Sequence, residues 1–246
     1  MTKTLIIYPK LQTEEICPDF REEAVLMRKM GFRINTKCTN AYSRSLYRGY
    51  MMTDRRQYPT DSRLIQNWDE YYRTLYMSEF YPIIAPYAIP TFFVNNLKES
   101  ELIPEIKKRG WERVFIKSEF RSLFTEGLFA SVWPDTPIKE IALKYAKKGW
   151  TGPFAIRKYI DNQHIFYDEQ RYWVLNGIAY HPSKVIPPIV AEAAKRIYKF
   201  SGSHYFTIDV AGDYIVEINP GESSDRGGDN PLEFFCKIFA ETFLKE

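Results

Sequence analysis

Cysteine is scarce in this sequence, and the three cysteines, Cys17, Cys38 and Cys236, have no metal-ligand spacing. Their odd number and wide separation favour a reduced protein over a disulfide framework. Long hydrophobic runs are missing as well. The first ten residues hold an apolar run of only three residues, far too short for a signal peptide, and no stretch approaches the ~20 apolar residues that cross a bilayer. We therefore expect a cytoplasmic protein without a membrane span.

An excess of one charge is also lacking, because 34 Lys and Arg against 31 Asp and Glu leave a net charge of only +3. This mild balance does not indicate a nucleic-acid partner. His164, His181 and His204 are scattered, with no cysteine or histidine at zinc-ligand spacing. No Ser-His-Asp or Cys-His constellation stands out. Apolar residues are abundant at 45%, which suffices for one large domain or two or three small subdomains.

Hydrophobic periodicity predicts strands and helices that are mixed without strict alternation. This pattern favours an α+β fold over a doubly wound sheet. Asn176-Gly177 between two apolar runs predicts a tight hairpin turn. The predicted strands are 4–8, 32–36, 45–53, 113–117, 128–132, 154–160, 169–175 and 178–182 and the hairpin 205–221, and the predicted helices are 22–30, 61–80, 100–109, 137–148, 188–200 and 230–244.

The hairpin, with the sequence YFTIDVAGDYIVEINPG, carries carboxylates inside its β-rich runs. Side chains alternate between the two faces of a strand. The even positions, Phe206, Ile208, Val210, Val216 and Ile218, form an apolar face, and the odd positions are Thr207, Asp209, Ile215, Glu217 and Asn219. Both strands present their polar groups to the same face only if the turn holds an odd number of residues or a bulge corrects the register.

In that register Asp209 and Glu217 lie side by side, with Asn219 beyond them. Two close carboxylates repel each other, and a divalent cation removes the repulsion. Carboxylate and amide oxygens suit Mg²⁺, which takes its other ligands from water and nucleotide phosphates. The alternative is that both carboxylates lie on a solvated face and that Asn219-Pro220-Gly221 is only a turn.

Four motifs in order along about residues 90–240 resemble the ATP-grasp superfamily. The hairpin is similar to the family's metal-binding end, in which an Asp on one strand and a Glu-x-Asn on the next hold Mg²⁺-ATP. The segment VFIK resembles the strand whose lysine, here Lys117, reaches the phosphates. FAIRKYI resembles the linker strand whose backbone holds adenine, and DEQRYWVLNG resembles the following strand, with a ribose-contacting Glu169 and a phosphate-side Arg171.

The resemblance implies an ATP-grasp fold, in which two α+β subdomains sandwich the nucleotide, preceded here by a small α/β subdomain. We expect subdomains at 1–90, 91–160 and 161–246. The front part resembles a divergent ATP-grasp clade named for two arginines and a lysine. The implied residues are Lys117 and Arg171 for catalysis; Lys117, Arg157, Lys158, Tyr159, Ile160, Glu169 and Arg171 for ATP; Asp209, Glu217 and Asn219 for Mg²⁺; and Arg48, Ser223, Ser224 and Arg226 for substrate.

The function implied is that of an ATP-dependent carboxylate–amine ligase that works through an acyl phosphate. Its partners would be a small-molecule or peptide carboxylate and an amine, and the oligomeric state is not predicted. One alternative is a phosphotransferase with a hydroxyl acceptor. Another is a non-catalytic binding module that uses the lysine-rich segments 105–113 and 139–150, although most of those lysines lie opposite an apolar stripe, as on an ordinary solvated face.

Several of these residues also have ordinary structural explanations. Lys117 could be an exposed strand-end lysine, and the loop 118–127 is poorer in glycine than the family's phosphate loop. Glu169 and Arg171 share a strand face and could form only a surface ion pair. At Arg157, where many relatives carry a carboxylate, the cation could face the phosphates or solvent. Arg48 could bind an anionic substrate or pair with a surface acid.

Overall fold

The computed structural model describes residues 4–10, 15–37, 42–120, 131–160, 169–227 and 230–245. Cys38, His164, residues 121–127 of the predicted loop and residues 128–130 of a predicted strand lie outside these ranges. Cys17 and Cys236 are free thiols. None of the helices in the described part of the chain has the length and hydrophobicity that a bilayer crossing requires.

The N-terminal sheet is parallel and has the strand order β2-β1-β3. Its central strand, β1, is buried along its whole length. Helix α1 links β1 to β2 and starts with a proline, whose fixed φ suits the first turn of a helix. The carboxyl ends of β1 and β3 meet at one edge of the sheet, beside the start of α1. The bounds are β1 Thr4–Ile7, α1 Pro18–Met30, β2 Arg33–Asn35 and β3 Arg44–Tyr47.

The single helix predicted for 61–80 is wrong. Two shorter helices, α2 (Trp68–Leu75) and α3 (Met77–Ile84), are separated by Tyr76, whose backbone is extended with φ −89° and ψ 119°. A capping box between Asn67 and Glu70 starts α2 and satisfies its first backbone donors. Short 3₁₀ turns at Arg55–Gln57 and Ala85–Tyr87 flank this region.

The central sheet is antiparallel and has the strand order β4-β7-β5-β6. Two amphipathic helices, α4 and α5, cover one face through a core that includes Ile106, Ile116, Ile141 and Ile156. Of the described residues of the predicted strand 128–132, which are Ser131 and Val132, Val132 lies in β6. The bounds are β4 Thr91–Val94, α4 Glu99–Lys108, β5 Val114–Ser118, β6 Val132–Trp133, α5 Ile138–Lys147 and β7 Phe154–Lys158.

The C-terminal sheet is antiparallel and has the strand order β11-β10-β8-β9. Both faces are buried, one against α3 and α6 and the other against α7 and the N-terminal sheet. The predicted Asn176-Gly177 turn is confirmed, with positive φ values of 49° and 76°. The bounds are β8 Gln170–Leu175, β9 Ile178–Tyr180, α6 Pro188–Ser201, β10 Tyr205–Ala211, β11 Tyr214–Pro220 and α7 Leu232–Phe243.

These mixed helices and sheets confirm the predicted α+β class. Each sheet draws its strands from one of the three predicted ranges, 1–90, 91–160 and 161–246. The division into subdomains stays a prediction. The predicted hairpin 205–221 corresponds to β10 and β11, which lie at one edge of the C-terminal sheet.

Candidate nucleotide and metal site

A row of charged side chains crosses three strands of the C-terminal sheet. Asp209 on β10 lies directly opposite Arg171 on β8 and directly opposite Glu217 on β11. Directly opposed residues of a sheet share a face. Asn219 follows two positions after Glu217 and therefore lies on the same face. The structure thus brings together four of the residues that the sequence suggested.

A β-bulge aligns the two carboxylates. The register shifts between Asp209 and Val210, so that Val210 pairs with Ile215 and one extra residue, Val216, precedes Glu217. The sequence prediction had placed Val216 on the core face and Ile215 on the polar face. That assignment is wrong, because strict alternation ends at a bulge. Ile215 packs in the core between the C-terminal sheet and helices α3 and α6, whereas Val216 packs against Ile89 and Ala211.

Arg171 holds Asp209 in a two-point contact. Its Nε donates to Oδ1 and its Nη2 donates to Oδ2, both at 2.7 Å. Asn219 Nδ2 donates to the same Oδ2 at 3.0 Å. Asp209 is only 1% exposed, and this burial raises the pKa of its carboxyl group, against the lowering effect of Arg171. Arg171 Nη1 also contacts the Asp225 carboxylate in the loop after β11.

Glu217 forms an ion pair with Lys117, which lies near the end of β5 in the central sheet. Lys117 is buried, whereas the Glu217 side chain is 31% exposed. Burial raises the pKa of Glu217, but Lys117, Arg157 and the Asn219 amide together outweigh that effect, so the net shift is downward. Glu217 Oε2 also accepts from Asn219 Nδ2 at 3.3 Å. Lys117 is therefore not an exposed strand-end lysine, and its ion pair joins the central and C-terminal sheets.

Arg157 on β7 is a third cation at this site. It is buried, which excludes the solvated position that the sequence had left open. Its Nη2 donates to the carbonyl oxygen of the bulged Val216 at 2.8 Å. Its Nε is buried and has no hydrogen-bond partner among the described residues. Burial lowers the pKa of Arg157, and the nearby negative charges of Glu217 and Glu169 oppose that shift.

The three residues after Arg157 form the segment that resembles the adenine-binding linker. Lys158 has an exposed side chain, and its N–H donates to Pro90 O at 2.8 Å. The N–H of Tyr159 donates to Arg113 O at 3.0 Å. Ile160 is half-buried against the patch that contains Val216. Two N–H groups of the linker are therefore bonded within the protein.

Glu169 directly precedes β8, two residues before Arg171. Partial burial, followed by the negative charges of Asp209 and Glu217, raises the pKa of Glu169 to about 7. Glu169 is nevertheless exposed to solvent. The two-point partner of Arg171 is Asp209 rather than Glu169, and the ribose contact of Glu169 stays a prediction.

The donor set fits a hard divalent cation. Within the described ranges no group of three or more His, Cys, Asp and Glu side chains could hold a metal; the set here is two carboxylates and an amide. Asp209 Oδ2 and Glu217 Oε2 both accept from Asn219 Nδ2, so these two carboxylate oxygens lie close together, and the Asn219 oxygen would join them as a ligand with its amide reversed. Oxygen ligands of this kind suit Mg²⁺, which completes its octahedron with water and phosphate oxygens.

The residues suggested for substrate binding line a cavity of about 350 Å³ next to this row. The cavity lies at the carboxyl edge of the parallel sheet, where α/β sheets commonly bind ligands. Ser223 and Arg226 line it from the loop after β11, and Asp19 and Glu22 line it from the start of α1. Ser224 is buried, and its Oγ donates to Pro220 O at 2.8 Å.

Arg48 is 1% exposed and contacts protein atoms on several sides. Its Nε and Nη2 bond Glu23 at 2.9 Å each, and its Nη1 donates to Gly221 O and, at 2.9 Å, to Ser224 O. A surface ion pair is thus excluded. The substrate role of Arg48 stays a prediction, and these contacts give it a structural role at the cavity floor.

Sequence reasoning singled out neither Glu23, the partner of Arg48, nor Glu222, a fully buried carboxyl group in the loop after β11. Glu222 bonds Tyr58 and Gln66, more than 150 positions away along the chain. No local pattern signals partners so distant. Asp225, which contacts Arg171, was not among the predicted site residues either.

No family model and no curated protein matches this sequence. Solved structures do match over nearly the whole chain. D-cycloserine synthetase DcsG is 13% identical with a TM-score of 0.63, covering 98% of this chain and 99% of its own. A RiPP-associated ATP-grasp ligase from Chryseobacterium gregarium, in complex with ADP and a leader and core peptide, is 13% identical with a TM-score of 0.61, covering 98% and 96%. D-alanine–D-alanine ligase from Bacillus anthracis is 13% identical with a TM-score of 0.58, covering 100% and 98%.

Proposed function

Given that the chain has the ATP-grasp fold, we propose that it is an ATP-dependent ligase that joins a carboxylate to an amine. The observation that carries the proposal is the row of Arg171, Asp209 and Glu217, with Lys117 and Arg157 reaching it from the central sheet. Two carboxylates and an amide can hold a divalent cation, and three cations can hold a triphosphate. Such a combination matches the charges of Mg²⁺-ATP.

The proposed nucleotide lies between the central and C-terminal sheets. Lys117, Arg157 and Arg171 neutralise the phosphates, and Glu169 accepts from the ribose. Because the N–H groups of Lys158 and Tyr159 are bonded within the protein, we assign the backbone N–H that contacts adenine to Ile160. When bound, Mg²⁺ would be held by Asp209, Glu217 and Asn219 and would neutralise charge on the triphosphate.

In the proposed reaction a substrate carboxylate oxygen attacks the γ-phosphorus and ADP leaves. An amine nitrogen then attacks the acyl carbon, phosphate leaves and the nitrogen loses a proton. Lys117 and Arg171 stabilise charge on the transferring phosphoryl group. Positioning and electrostatics suffice, so no protein nucleophile is needed. The substrate occupies the cavity of about 350 Å³, which Asp225 connects to the charged row through Arg171.

The first experiment tests nucleotide binding by thermal melting. Saturating Mg²⁺-ATP should raise the Tm, since a ligand selective for the folded state stabilises it by about 2.7 kcal/mol at one hundred times its Kd. Lys117→Met should reduce this shift. Lys139→Met, which removes an exposed lysine on α5, is the matched control and should not. An unmoved Tm in the wild type would exclude the proposal.

The second experiment identifies the acceptor. Amino acids, peptides and other carboxylates are screened in pairs with amines for stimulated ADP release, and products are analysed by mass spectrometry. An amide product supports the ligase. A phosphorylated hydroxyl product would instead establish a phosphotransferase, and nucleotide binding without ADP release under any pair would leave a binding protein.

A further inference from the structure

Glu222 is a fully buried carboxyl group whose hydrogen-bond donors are neutral. It is 0% exposed and lies three residues beyond Asn219. Its Oε1 contacts the Tyr58 hydroxyl at 2.9 Å, and its Oε2 accepts from Gln66 Nε2 at 2.8 Å. The guanidinium of Arg48, in the same region, is bound in a two-point contact to Glu23. A buried carboxylate without a paired cation is costly, so such a group tends to take up a proton.

The hydrogen bonds around Tyr58 require one more proton than the tyrosine supplies. Its hydroxyl oxygen lies 2.9 Å from Glu222 Oε1 and also 2.9 Å from the Gln66 carbonyl oxygen. Both of those oxygens are acceptors when Glu222 is ionised, yet a hydroxyl has a single proton. If Glu222 carries a proton, it donates to Tyr58, and Tyr58 donates to the Gln66 carbonyl. Both contacts are then hydrogen bonds.

The orientation of the Gln66 side chain agrees with this arrangement. Its Oε1 accepts from Ser203 Oγ at 2.7 Å and from the Tyr205 N–H at 3.3 Å. The Tyr205 N–H cannot face an NH₂ group and therefore fixes the amide oxygen on that side, so the NH₂ group points toward Glu222. Gln66 is itself buried. Reversing the Gln66 side-chain amide therefore does not supply the second proton that the two contacts of the Tyr58 hydroxyl require.

Segment 221–225, which contains Glu222, contacts both the N-terminal sheet and the charged row. The Glu222 carbonyl accepts from the Gly49 N–H at 2.7 Å, just after β3. Three residues later, the Asp225 carboxylate contacts Arg171, which holds Asp209 in its two-point contact. A continuous chain of contacts therefore runs from Glu222 to a proposed metal ligand.

We propose that Glu222 is a positioning residue that carries a proton while segment 221–225 keeps its contacts with the rest of the protein. Loss of this proton weakens those contacts and, through Arg171, the two-point contact with Asp209. The consequence for Mg²⁺-ATP rests on the proposed function, whereas the proton on Glu222 does not. Burial raises the pKa of Glu222 to about 8, against the lowering effects of its hydrogen-bond donors, its own backbone N–H first, and of Arg48.

The other titratable groups that face Glu222 do not change their charge near this pH. Burial raises the pKa of each neighbouring tyrosine above its usual value of about 10, so these hydroxyls stay neutral, and Arg48 stays charged. Glu222 is then the group of this cluster that titrates between pH 7 and pH 9. The tyrosines concerned are Tyr47, Tyr58, Tyr71 and Tyr205.

Infrared difference spectroscopy between the wild type and Glu222→Gln tests the proton directly. A band from a protonated carboxyl group should be present in the wild type at pH 6, absent from the variant, and lost from the wild type as the pH rises through about 8. No such band in the wild type at pH 6 would overturn the proposal, whether or not Glu222→Gln folds.

Calorimetric titration with Mg²⁺-ATP at pH 6 to pH 9 tests the positioning role. Glu222→Gln keeps a neutral side chain at every pH, so the affinity of the wild type relative to this variant should fall roughly tenfold from pH 7 to pH 9, in line with a single linked proton. Tyr205→Phe, which removes a hydroxyl that donates to Tyr47 O, is the control and should follow the wild type. A constant ratio would refute the positioning role. Absence of binding by every protein at every pH would instead refute the proposed function, and the infrared result would still stand.

Discussion

Replacing Lys117 with methionine and Glu217 with glutamine, singly and together, measures the ion pair that joins the central and C-terminal sheets. Lys117→Met leaves the Glu217 carboxylate without its cation. Glu217→Gln leaves the ammonium of a buried lysine without its anion. The double variant removes both charges and keeps the approximate shapes. The difference between the double effect and the sum of the single effects is the coupling free energy.

The size of that coupling follows from the burial of the two groups. Two unit charges about 4 Å apart interact by about 4 kcal/mol at an effective dielectric constant of about 20. The Lys117 side chain is 5% exposed, which keeps the attraction strong, but the Glu217 side chain is 31% exposed, so solvent screens part of it. Desolvation of the lysine offsets a further part. We expect a coupling of about 1–3 kcal/mol in the free energy of unfolding.

Urea unfolding of the four proteins at pH 7 and in acid gives this coupling and its pH dependence. The folded-state pKa of Glu217 is lowered, so its stabilising contribution is present above the unfolded value of about 4.3 and is lost as the pH falls through the folded pKa. The coupling should therefore be present at pH 7 and disappear in acid. A coupling below about 0.3 kcal/mol at pH 7, which is within ordinary additivity error, would refute the reasoning.

Two further variants test contacts of the same region. Arg171→Lys keeps the charge but loses the two-point contact with Asp209, so the Mg²⁺-ATP shift in Tm should shrink by more than half; an unchanged shift would contradict that role. Gly221→Ala would place a Cβ 2.5 Å from the Tyr205 ring and 2.6 Å from its carbonyl oxygen, so the free energy of unfolding in urea should fall by about 1–3 kcal/mol. A loss below about 0.5 kcal/mol would show that the backbone around residue 221 shifts to accommodate the Cβ without a measurable loss of stability.

The alternation of residues in the hairpin predicted that a bulge or an odd turn would bring Asp209 and Glu217 together, and the structure has the bulge. The identity of the bulged residue could not be predicted, because Ile215 and Val216 are equally apolar and branched at Cβ. What distinguishes them is a partner from another sheet: the carbonyl of Val216 accepts from Arg157, 59 positions earlier. Sequence periodicity describes faces within one element and carries no information about such contacts.

The error over residues 61–80 has a different cause. The Tyr- and Trp-rich run has helical spacing, but Tyr76 takes an extended backbone that allows α2 and α3 to pack separately. The Asn67-x-x-Glu70 capping box was visible in the sequence and marks the true start of α2. The burial of Arg48 was not visible, because its partners Glu23, Gly221 and Ser224 lie 25 to 176 positions away.

The amide of Asn219 offers the sharpest test of the proposed metal site, because it donates to Asp209 at 3.0 Å and to Glu217 at 3.3 Å. Asn219→Asp keeps the side-chain shape, removes the donor and adds a third negative charge. Asn219→Ala removes the donor without adding charge and is the matched control. Both variants lose hydrogen bonds to carboxylates, each worth about 1.5–3 kcal/mol.

Only the aspartate variant also suffers repulsion among three carboxylates, so it should melt below the alanine variant in EDTA at pH 7. Millimolar Mg²⁺ without nucleotide should reverse that order, because three carboxylates bind a hard cation more strongly than two, and a cation that binds only the folded protein raises its Tm. An equal response of the two variants to Mg²⁺ would mean that no cation lies within reach of residue 219. The carboxylates of β10 and β11 would then serve only as anions for Arg171 and Lys117, and the ligase proposal would lose its metal ligands.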